Sequence, residues 1–242
     1  MVDVCHLPRA PITEALVDLR VAARADLDAS EFRSLEGELS EAFPSIDERR
    51  QTMVSLHLDP TEERQQVTRK PLGISGLWFR TANRQKLAQF RVDGFTFNWM
   101  KPYDRWEALI SGAMALWDKY KRIAQPNRVT RVALRYINDL EFPSEDLDRY
   151  LRAPRPIPDS LRDGDLVGCR SRITIRDGTT RNMVHVTQEL RSAFSVLLDI
   201  DAYYEVAPED DLDISAKFDE LRDLKNRAFF GSITKEAVEL YR

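Results

Sequence analysis

The sequence predicts an α+β fold in which a β-α-β-β-β-α unit occurs twice and forms one antiparallel sheet with long helices packed on one face. Two observations predict it. Residues 129–141, VTRVALRYINDLE, alternate apolar and polar side chains with the period of two that is typical of a strand. Residues 13–21, TEALVDLRV, are a weaker copy of this segment, and the same order of elements follows both copies.

The first repeat is expected to span residues 10–125. Asp28 is followed three residues later by Glu31, which is the pattern of a capping box and predicts a helix start. Polar residues 61–73 are expected to form a loop. The predicted elements are a strand at 12–21, a helix after Asp28, strands at 52–59, 77–81 and 87–100, and a helix at 103–124 capped by Asp104.

The second repeat is expected to span residues 128–232, so that both repeats form a single globular domain of residues 1–242. Proline-rich residues 153–160 are expected to be a stiff connector. The third strands also align, QFRVDGFTFN at 89–98 with LLDIDAYYEV at 197–206. The predicted elements are a strand at 129–141, a short helix at 145–151, strands at 167–176, 182–190 and 194–206, and a helix capped by Asp213.

Composition narrows the function classes. The formal net charge of −4 gives no global field that would favour nucleic acid. Cys5 and Cys169 stand far apart without a CxxC motif, which disfavours a disulfide scaffold or zinc knuckle and fits a reducing compartment. No apolar run approaches the about 20 residues that span a membrane, and no signal peptide pattern is visible. We therefore expect a cytoplasmic protein without a cofactor.

Charges in the two leading strands invert between the repeats. Glu14 and Asp18 occupy the positions that Arg131 and Arg135 occupy in the second copy. Antiparallel pairing about a local dyad would place Glu14 beside Arg135 and Asp18 beside Arg131. Opposite charges across a ladder contribute about 0.2–1 kcal/mol each and help to fix the register. The alternative is that these charges only occupy a solvated face.

A row of arginines on the predicted sheet is the main candidate for ligand binding, because guanidinium groups bind phosphate and carboxylate groups. The candidate ligand-binding residues are Arg131, Arg135, Arg170, Arg172, Tyr136 and Asn138. Aromatic side chains between them would suit a nucleotide or a single strand. Acids on the same surface favour a competing interpretation, in which the arginines are neutralised.

A metal site is the alternative candidate. The predicted hairpin places His185 opposite Asp199, with Glu189 and Asp201 on the same face. Imidazole and carboxylates together can bind a divalent metal that activates water, as in a metal-dependent hydrolase or nuclease. A solvated ladder of ion pairs explains the same residues. The sequence contains no GxSxG, P-loop, GxGxxG or HExxH motif, so a non-catalytic protein is favoured and catalysis stays open.

Four segments spread over the chain carry a family resemblance: LPRAPITEALVDLRV, DGFTFNWMKPYDRWEAL, TRVALRYIND and AFFGSITKEAVELYR. They resemble a sporadically distributed prokaryotic family of uncharacterised proteins of about this length, which share a PIxEA…R start and a central RxxxRYIN motif. The matching residues are Pro11, Glu14, Ala15, Arg20, Tyr103, Trp106, Arg131, Arg135, Tyr136 and Asn138. The resemblance implies one globular unit without an established activity, and its sporadic distribution suggests an accessory role, as in a bacterial defence or toxin–antitoxin locus.

The sequence therefore favours a non-catalytic binding or interaction protein that uses an arginine- and acid-lined sheet face. A protein partner or self-association is the first expectation and a small acidic ligand the second. Nucleic acid is less favoured, and no membrane contact is expected.

Overall fold

The computed structural model describes residues 5, 7–57, 66–142, 147–152, 160, 164, 166–192 and 195–242. In these ranges the strands are β1 (Ile12–Ala22), β2 (Ser45–His57), β3 (Gln66–Arg80), β4 (Lys86–Arg91), β5 (Gly94–Met100), β6 (Arg128–Glu141), β7 (Arg170–Arg176), β8 (Met183–Ser192) and β9 (Ser195–Glu205). The helices are a 3-10 helix at Ala29–Leu35, α1 (Glu36–Leu39), α2 (Trp106–Ala124), α3 (Leu147–Tyr150), α4 (Ile214–Ser232) and α5 (Lys235–Glu239). No helix of the described ranges is long and apolar enough to cross a membrane.

All nine strands belong to one sheet in the order β2-β3-β4-β5-β1-β6-β9-β8-β7, and all neighbours are antiparallel. The predicted antiparallel sheet is confirmed. The predicted fold class, however, is wrong. The molecule is mostly sheet, and three of its five described α-helices have only four or five residues. Four strands lie between α1 and α2 but three between α3 and α4, so the β-α-β-β-β-α unit is not repeated.

The extra strand arises at a turn that the alternation of residues 87–100 conceals. Val92 and Asp93 form the turn that divides this segment into β4 and β5, and Gly94, opposite Arg91, begins β5. Gly94 has a φ of +151°, and a Cβ there would lie 2.2 Å from the carbonyl oxygen of Leu19. Residues 195–205 form the single strand β9. The alignment of 89–98 with 197–206 therefore compares a hairpin with one strand.

The predicted loop at residues 61–73 is wrong from residue 66 onward, because β3 begins there. The β2–β3 pairing runs from Ser45 opposite Arg80 to His57 opposite Gln66. A ladder satisfies backbone N–H and C=O groups whatever the polarity of the side chains, so a polar segment can form a strand beside a suitable neighbour. Residues 61–65 of this loop lie outside the described ranges. Residues 153–159, which make up most of the connector predicted at 153–160, also lie outside them.

Strands β1 and β6 pair antiparallel at the centre of the sheet, but the predicted register is wrong by two residues. Arg135 lies opposite Leu16, and Asp18 lies opposite Ala133. A shift of two residues keeps every side chain on its predicted face. In this register the buried residues Val17 and Leu134 lie directly opposite each other.

The two faces of the central strands differ sharply. One face is apolar, and α2 and α4 contact it. On this face Phe95 of β5 packs against Trp117 and Tyr120 of α2, with ring centroids 6.3 and 6.1 Å apart. The opposite face carries the charged side chains of β1, β6 and β9. Because neighbouring residues of a strand point to opposite faces, Arg135 and Tyr136 lie on different sides of the sheet.

Two of the predicted helix starts are confirmed. Asp28 and Glu31 form the capping box, and the Asp213 side chain accepts hydrogen bonds from the Ser215 and Ala216 amides. The predicted cap of α2 is wrong: the helix begins after Arg105 without a side-chain cap, so Asp104 lies outside it.

Candidate functional site

Arg131 and Arg135 lie on the charged face of the sheet, where acids of neighbouring strands bind them. Arg135 donates from Nε to Asp199 Oδ1 at 2.8 Å and from Nη2 to Oδ2 at 2.6 Å. Arg131 donates to Asp201 Oδ2 at 2.9 Å and to Asp18 Oδ2 at 3.2 Å. Charge-assisted pairs of this geometry are strong, so both arginines are neutralised within the sheet.

Of the two predicted central charge pairs, the structure brings Asp18 and Arg131 together, on a diagonal of the ladder. Arg135 takes Asp199 as its partner instead of Glu14. Glu14 accepts a hydrogen bond from Asn98 Nδ2 at 2.5 Å. The shifted register places both predicted pairs on the same kind of diagonal, and Arg135 binds Asp199 of the neighbouring strand β9.

Asp18 is the centre of a polar cluster that the sequence analysis missed. Asp18 as a whole is 6% exposed. Its carboxylate accepts hydrogen bonds from Thr96 Oγ1 at 2.6 Å and from Arg91 Nη2 at 3.2 Å. Arg20 donates to its other oxygen at 3.1 Å. Arg91 is 4% exposed, and Asp18 is the buried one of the two carboxylates that bind its guanidinium. Nothing in the sequence separates Arg91 from the exposed arginines.

The predicted metal residues do not form a metal site. His185 lies opposite Asp201 rather than Asp199, because the β8–β9 register is also shifted by two. Asp199 and Asp201 are bound by arginines, and Glu189 lies 3.5 Å from Arg170. Across the described part of the chain, no three His, Cys, Asp or Glu groups converge on a point where they could hold a metal.

The electrostatics of His185 agree with its geometry. Burial lowers the pKa of His185, and the positive charge of Arg172 lowers it further. Burial raises the pKa of Asp201, although Arg131 opposes this effect. The His185 Nδ1 atom lies 2.8 Å from the Thr174 hydroxyl. The imidazole is therefore a neutral member of a hydrogen-bonded ladder.

The other two predicted arginines lie on β7, the last strand of the sheet. Arg172 is exposed, and Arg170 is exposed apart from its contact with Glu189. Ile173 and Ile175 point to the other face of β7 and are 54% and 48% exposed. This edge combines apolar and basic side chains that are accessible to solvent.

A cavity of about 950 Å³ lies on the opposite side of the sheet from Arg131 and Arg135. Residues of α2, α4 and the segment before β1 line it. Tyr136 and Asn138 are among its walls, so the six predicted ligand-binding residues divide between two faces and an edge. Its charged lining residues are Arg9, Lys101, Arg105, Arg222 and Lys225, against Asp104 and Glu107. Basic groups therefore outnumber acidic ones.

Lys225 is the most unusual lining residue. Its Nζ atom lies 4.0 Å from the centroid of the Tyr136 ring and donates to Asn226 Oδ1 at 2.6 Å. In the described ranges no carboxylate forms an ion pair with it. The residue as a whole is half-buried, but desolvation of its amino group lowers the pKa to about 7, and the charge of Arg222 contributes.

Two tyrosines complete the wall beside this amine. The hydroxyl groups of Tyr103 and Tyr136 lie 2.8 Å apart. Burial raises the pKa of Tyr103 to about 12 and that of Tyr136 well above its ordinary value. Both hydroxyls are therefore protonated at neutral pH, and the pair retains one O–H that can donate into the cavity.

The sequence analysis missed Lys225, although a signal was present. The apolar stripe of α4 passes through Phe218, Leu221 and Phe229, and a lysine at position 225 falls on the same stripe. A charged residue at a stripe position predicts either a buried cation or a cavity. Here the structure shows a cavity, lined by the half-buried Lys225.

No protein-family model matches this chain, and no curated protein matches it. The resemblance to the sporadically distributed prokaryotic family stays a prediction.

Proposed function

We propose that this protein binds a small organic anion, a carboxylate, in the cavity beside Lys225. The observation that carries the proposal is the desolvated amine of Lys225, which borders a large cavity without an acidic partner in the described ranges. A buried cation without a counter-ion is costly, so an anion that supplies the missing charge gains binding free energy. The predicted cytoplasmic location, where small organic acids are common, fits such a ligand.

The charge of the cavity wall supports the same class of ligand. The chain is acidic overall, yet basic side chains predominate around this cavity. Arg222 lies with its guanidinium carbon 5.3 Å from the Trp106 ring centroid, and its contact with Glu107 is long at 3.6 Å. A planar cation held against an aromatic ring suits a carboxylate, because guanidinium groups bind carboxylates with two parallel hydrogen bonds.

The charged sheet face is the weaker candidate for the same ligand. Arg131 and Arg135 already bind Asp201 and Asp199 at short distances. A ligand would have to displace these internal acids and leave them without partners. A ligand that binds beside Lys225 in the cavity displaces no internal acid, because no described carboxylate forms an ion pair with this amine.

Binding can be tested by calorimetry and by the fluorescence of Trp106, which lines the cavity. The ligands would be pyruvate and benzoate, with pyruvamide and benzamide as uncharged counterparts. We expect saturable binding of the carboxylates, and a loss of about tenfold or more in affinity for Lys225→Met. Arg172→Met, on the exposed edge strand, serves as the control and should bind normally. Equal binding of acid and amide, or an unchanged Lys225→Met, would refute the proposal.

A protein partner at the β7 edge is a second candidate, favoured by the exposed Ile173 and Ile175. The outer edge of β7 pairs with no strand of the described ranges, so its backbone groups can accept another strand. Arg170, Arg172 and Arg176 on its other face favour acidic side chains. A second copy of β7 would bring like charges together, so we propose an extended acidic segment of another protein.

This interaction can be tested with a fluorescent peptide in which glutamate alternates with valine. We expect it to bind more tightly than a peptide in which lysine replaces glutamate, and Ile173→Glu should weaken its binding. Equal affinity for the two peptides would contradict the proposed edge pairing.

A further inference from the structure

Lys225 has the surroundings of a reactive amine and not only of an electrostatic anchor. It borders a cavity large enough for a small organic molecule, and it donates a single described hydrogen bond, to Asn226. The face of the Tyr136 ring lies 4.0 Å from the same nitrogen, and in the described ranges no carboxylate binds it. A hydrogen-bonded pair of tyrosine hydroxyls forms part of the same wall.

We infer that Lys225 is a nucleophile that forms an imine with the carbonyl carbon of a small 2-oxo acid bound in this cavity. The inference rests on the proposed function, because the carboxylate of the 2-oxo acid is the anion that the cavity binds. It adds a covalent step and restricts the ligand to carbonyl compounds.

The amine of Lys225 is prepared for this step by its environment. Lysine is nucleophilic only when neutral, and desolvation together with a nearby cation is a known way to keep it so. Burial and the charge of Arg222 lower the pKa of Lys225 to about 7, so neutral and charged amines coexist at neutral pH. An exposed lysine is almost wholly protonated under the same conditions.

The step balances without any oxidant or reductant. The lone pair of the neutral amine forms a C–N bond to the carbonyl carbon, and the C=O π electrons move to oxygen. Oxygen gains a proton and nitrogen loses one, which gives a carbinolamine. A second proton converts the hydroxyl to water, which leaves as the nitrogen lone pair forms the C=N bond of the protonated imine, and hydrolysis reverses the sequence.

The tyrosine pair can supply and recover these protons. Tyr103 and Tyr136 share a hydrogen bond of 2.8 Å, and Tyr136 also lies against the Lys225 amine. A hydroxyl that stays protonated at neutral pH can donate a hydrogen bond to the carbinolamine oxygen and relay a proton to it. Arg222, next to Lys225 in the cavity wall, would bind the carboxylate of the 2-oxo acid and orient its carbonyl.

The experiment is reductive trapping. The protein is incubated with pyruvate and sodium cyanoborohydride, which reduces an imine to a stable secondary amine, and the adduct is located by peptide mass mapping. We expect one pyruvate adduct, on the peptide that contains Lys225. Lys225→Arg keeps a positive charge but removes the nucleophile, and it should form no adduct. Tyr103→Phe should slow the formation of the adduct, and the adduct should still be found on Lys225.

Two lysines serve as internal controls. Lys217 on the same helix lies 4.2 Å from the Tyr204 ring centroid but binds Glu220 at 2.6 Å, and Lys101 lines the same cavity. Neither should be labelled at the rate of Lys225. Adducts spread evenly over these and the surface lysines would overturn the inference, as would an unmodified wild-type protein.

The dependence of the trapping rate on pH tests whether Lys225 is the nucleophile, because a purely structural role of Lys225 would not affect it. The trapping rate should rise with pH around 7, as the amine of Lys225 loses its proton, and level off well below the pKa of a free lysine. A rise centred near pH 10 would overturn the inference. The charged and titratable groups that line the cavity around this amine are Arg222, Tyr136, Tyr103, Asp104, Glu107, Arg9, Lys101, Arg105 and Cys5.

The failure of the imine and the failure of the proposed function can be told apart. Saturable pyruvate binding without a trapped adduct leaves the carboxylate site standing and refutes the covalent step. Absence of both binding and trapping refutes both proposals. The thermal unfolding of Lys225→Arg, measured beside the wild type, shows whether a missing adduct reflects a missing nucleophile or a misfolded variant.

Discussion

The amino group of Lys225 lies 4.0 Å from the ring centroid of Tyr136, and this contact joins α4 to the central strand β6. A cation over an aromatic face gains about 0.5–2 kcal/mol. Burial nevertheless lowers the pKa of this lysine to about 7, so the ring does not compensate for the lost hydration. Lys225 therefore costs stability at neutral pH, and strongly shifted groups in clefts are typical of functional sites.

Replacing Lys225 by methionine should stabilise the protein in a pH-dependent way. The pKa of Lys225 falls from 10.5 in the unfolded chain to about 7 in the fold, so the unfolded state holds more protons between these values. Wild-type stability must therefore rise with pH through this window, and the penalty is complete below it. At about 1.4 kcal/mol per pKa unit, the shift from 10.5 to about 7 makes the advantage of Lys225→Met below pH 7 on the order of 5 kcal/mol.

Urea unfolding at pH 6, 8 and 10 measures this effect. The stability advantage of Lys225→Met should shrink as the pH approaches 10. Lys121→Met, at a half-exposed position of α2, is the control and should show no such trend. Parallel stability curves for Lys225→Met and the wild type would contradict the shifted pKa.

Asp18→Asn should be strongly destabilising. The substitution removes the negative charge that the buried Arg91 faces at 3.2 Å and that Arg131 also contacts. Leaving a buried charge without its partner costs about 3–5 kcal/mol. Asp93→Asn is the matched control, because Asp93 also pairs with Arg91 but its side chain is 58% exposed, and it should cost less than about 1 kcal/mol. Similar losses of unfolding free energy in urea would show that Arg91 does not depend on Asp18.

Gly94→Ala should destabilise the β4–β5 hairpin. Its φ of +151° is accessible mainly to glycine, and the new Cβ would meet the backbone oxygen of Leu19 at 2.2 Å. Since Leu19 is held in the centre of the sheet, relief requires movement of β1, and we expect a loss of more than about 2 kcal/mol.

Gly231→Ala is the control for this change. Gly231 lies in the last turn of α4, and a Cβ there meets no atom within 4 Å. Alanine is about 1 kcal/mol more favourable than glycine within a helix, so this variant should be neutral or slightly stabilised in thermal unfolding. Equal losses at both positions would mean that the loss at Gly94 does not come from its backbone geometry.

Local signals in the sequence predicted much of the sheet and little of its chemistry. Alternation located β1 and β6 and their faces, because one face of each strand is buried. It did not reveal the turn at Val92 and Asp93, since apolar residues continue on both sides of this turn. The register also escaped prediction, because charges diagonal to each other can pair, as Asp18 and Arg131 do, so a charge pattern does not select one register.

The candidate site depends on contacts between distant segments. The sequence shows Lys225 as a charged residue in the apolar stripe of α4. Its contact with Tyr136, however, depends on how α4 crosses β6. Periodicity places a residue on a face of its own element and carries no information about that crossing. The cavity could therefore not be found before the helix was placed on the sheet.

The hydroxyl groups of Tyr103 and Tyr136 should prove energetically coupled. Tyr136 is 3% exposed, so Tyr103→Phe leaves its hydroxyl buried with no other described side-chain partner, and the reverse change removes the described side-chain partner of the half-buried Tyr103. An unsatisfied buried polar group costs about 1–3 kcal/mol, whereas removing both partners together can be nearly neutral. The double variant should therefore lose less stability than the sum of the single variants, by about 1 kcal/mol in a double-mutant cycle. Tyr120→Phe, whose hydroxyl donates to the Arg91 carbonyl oxygen, should add to Tyr103→Phe without coupling, and strict additivity in both cycles would show that the tyrosine pair does not act as a unit.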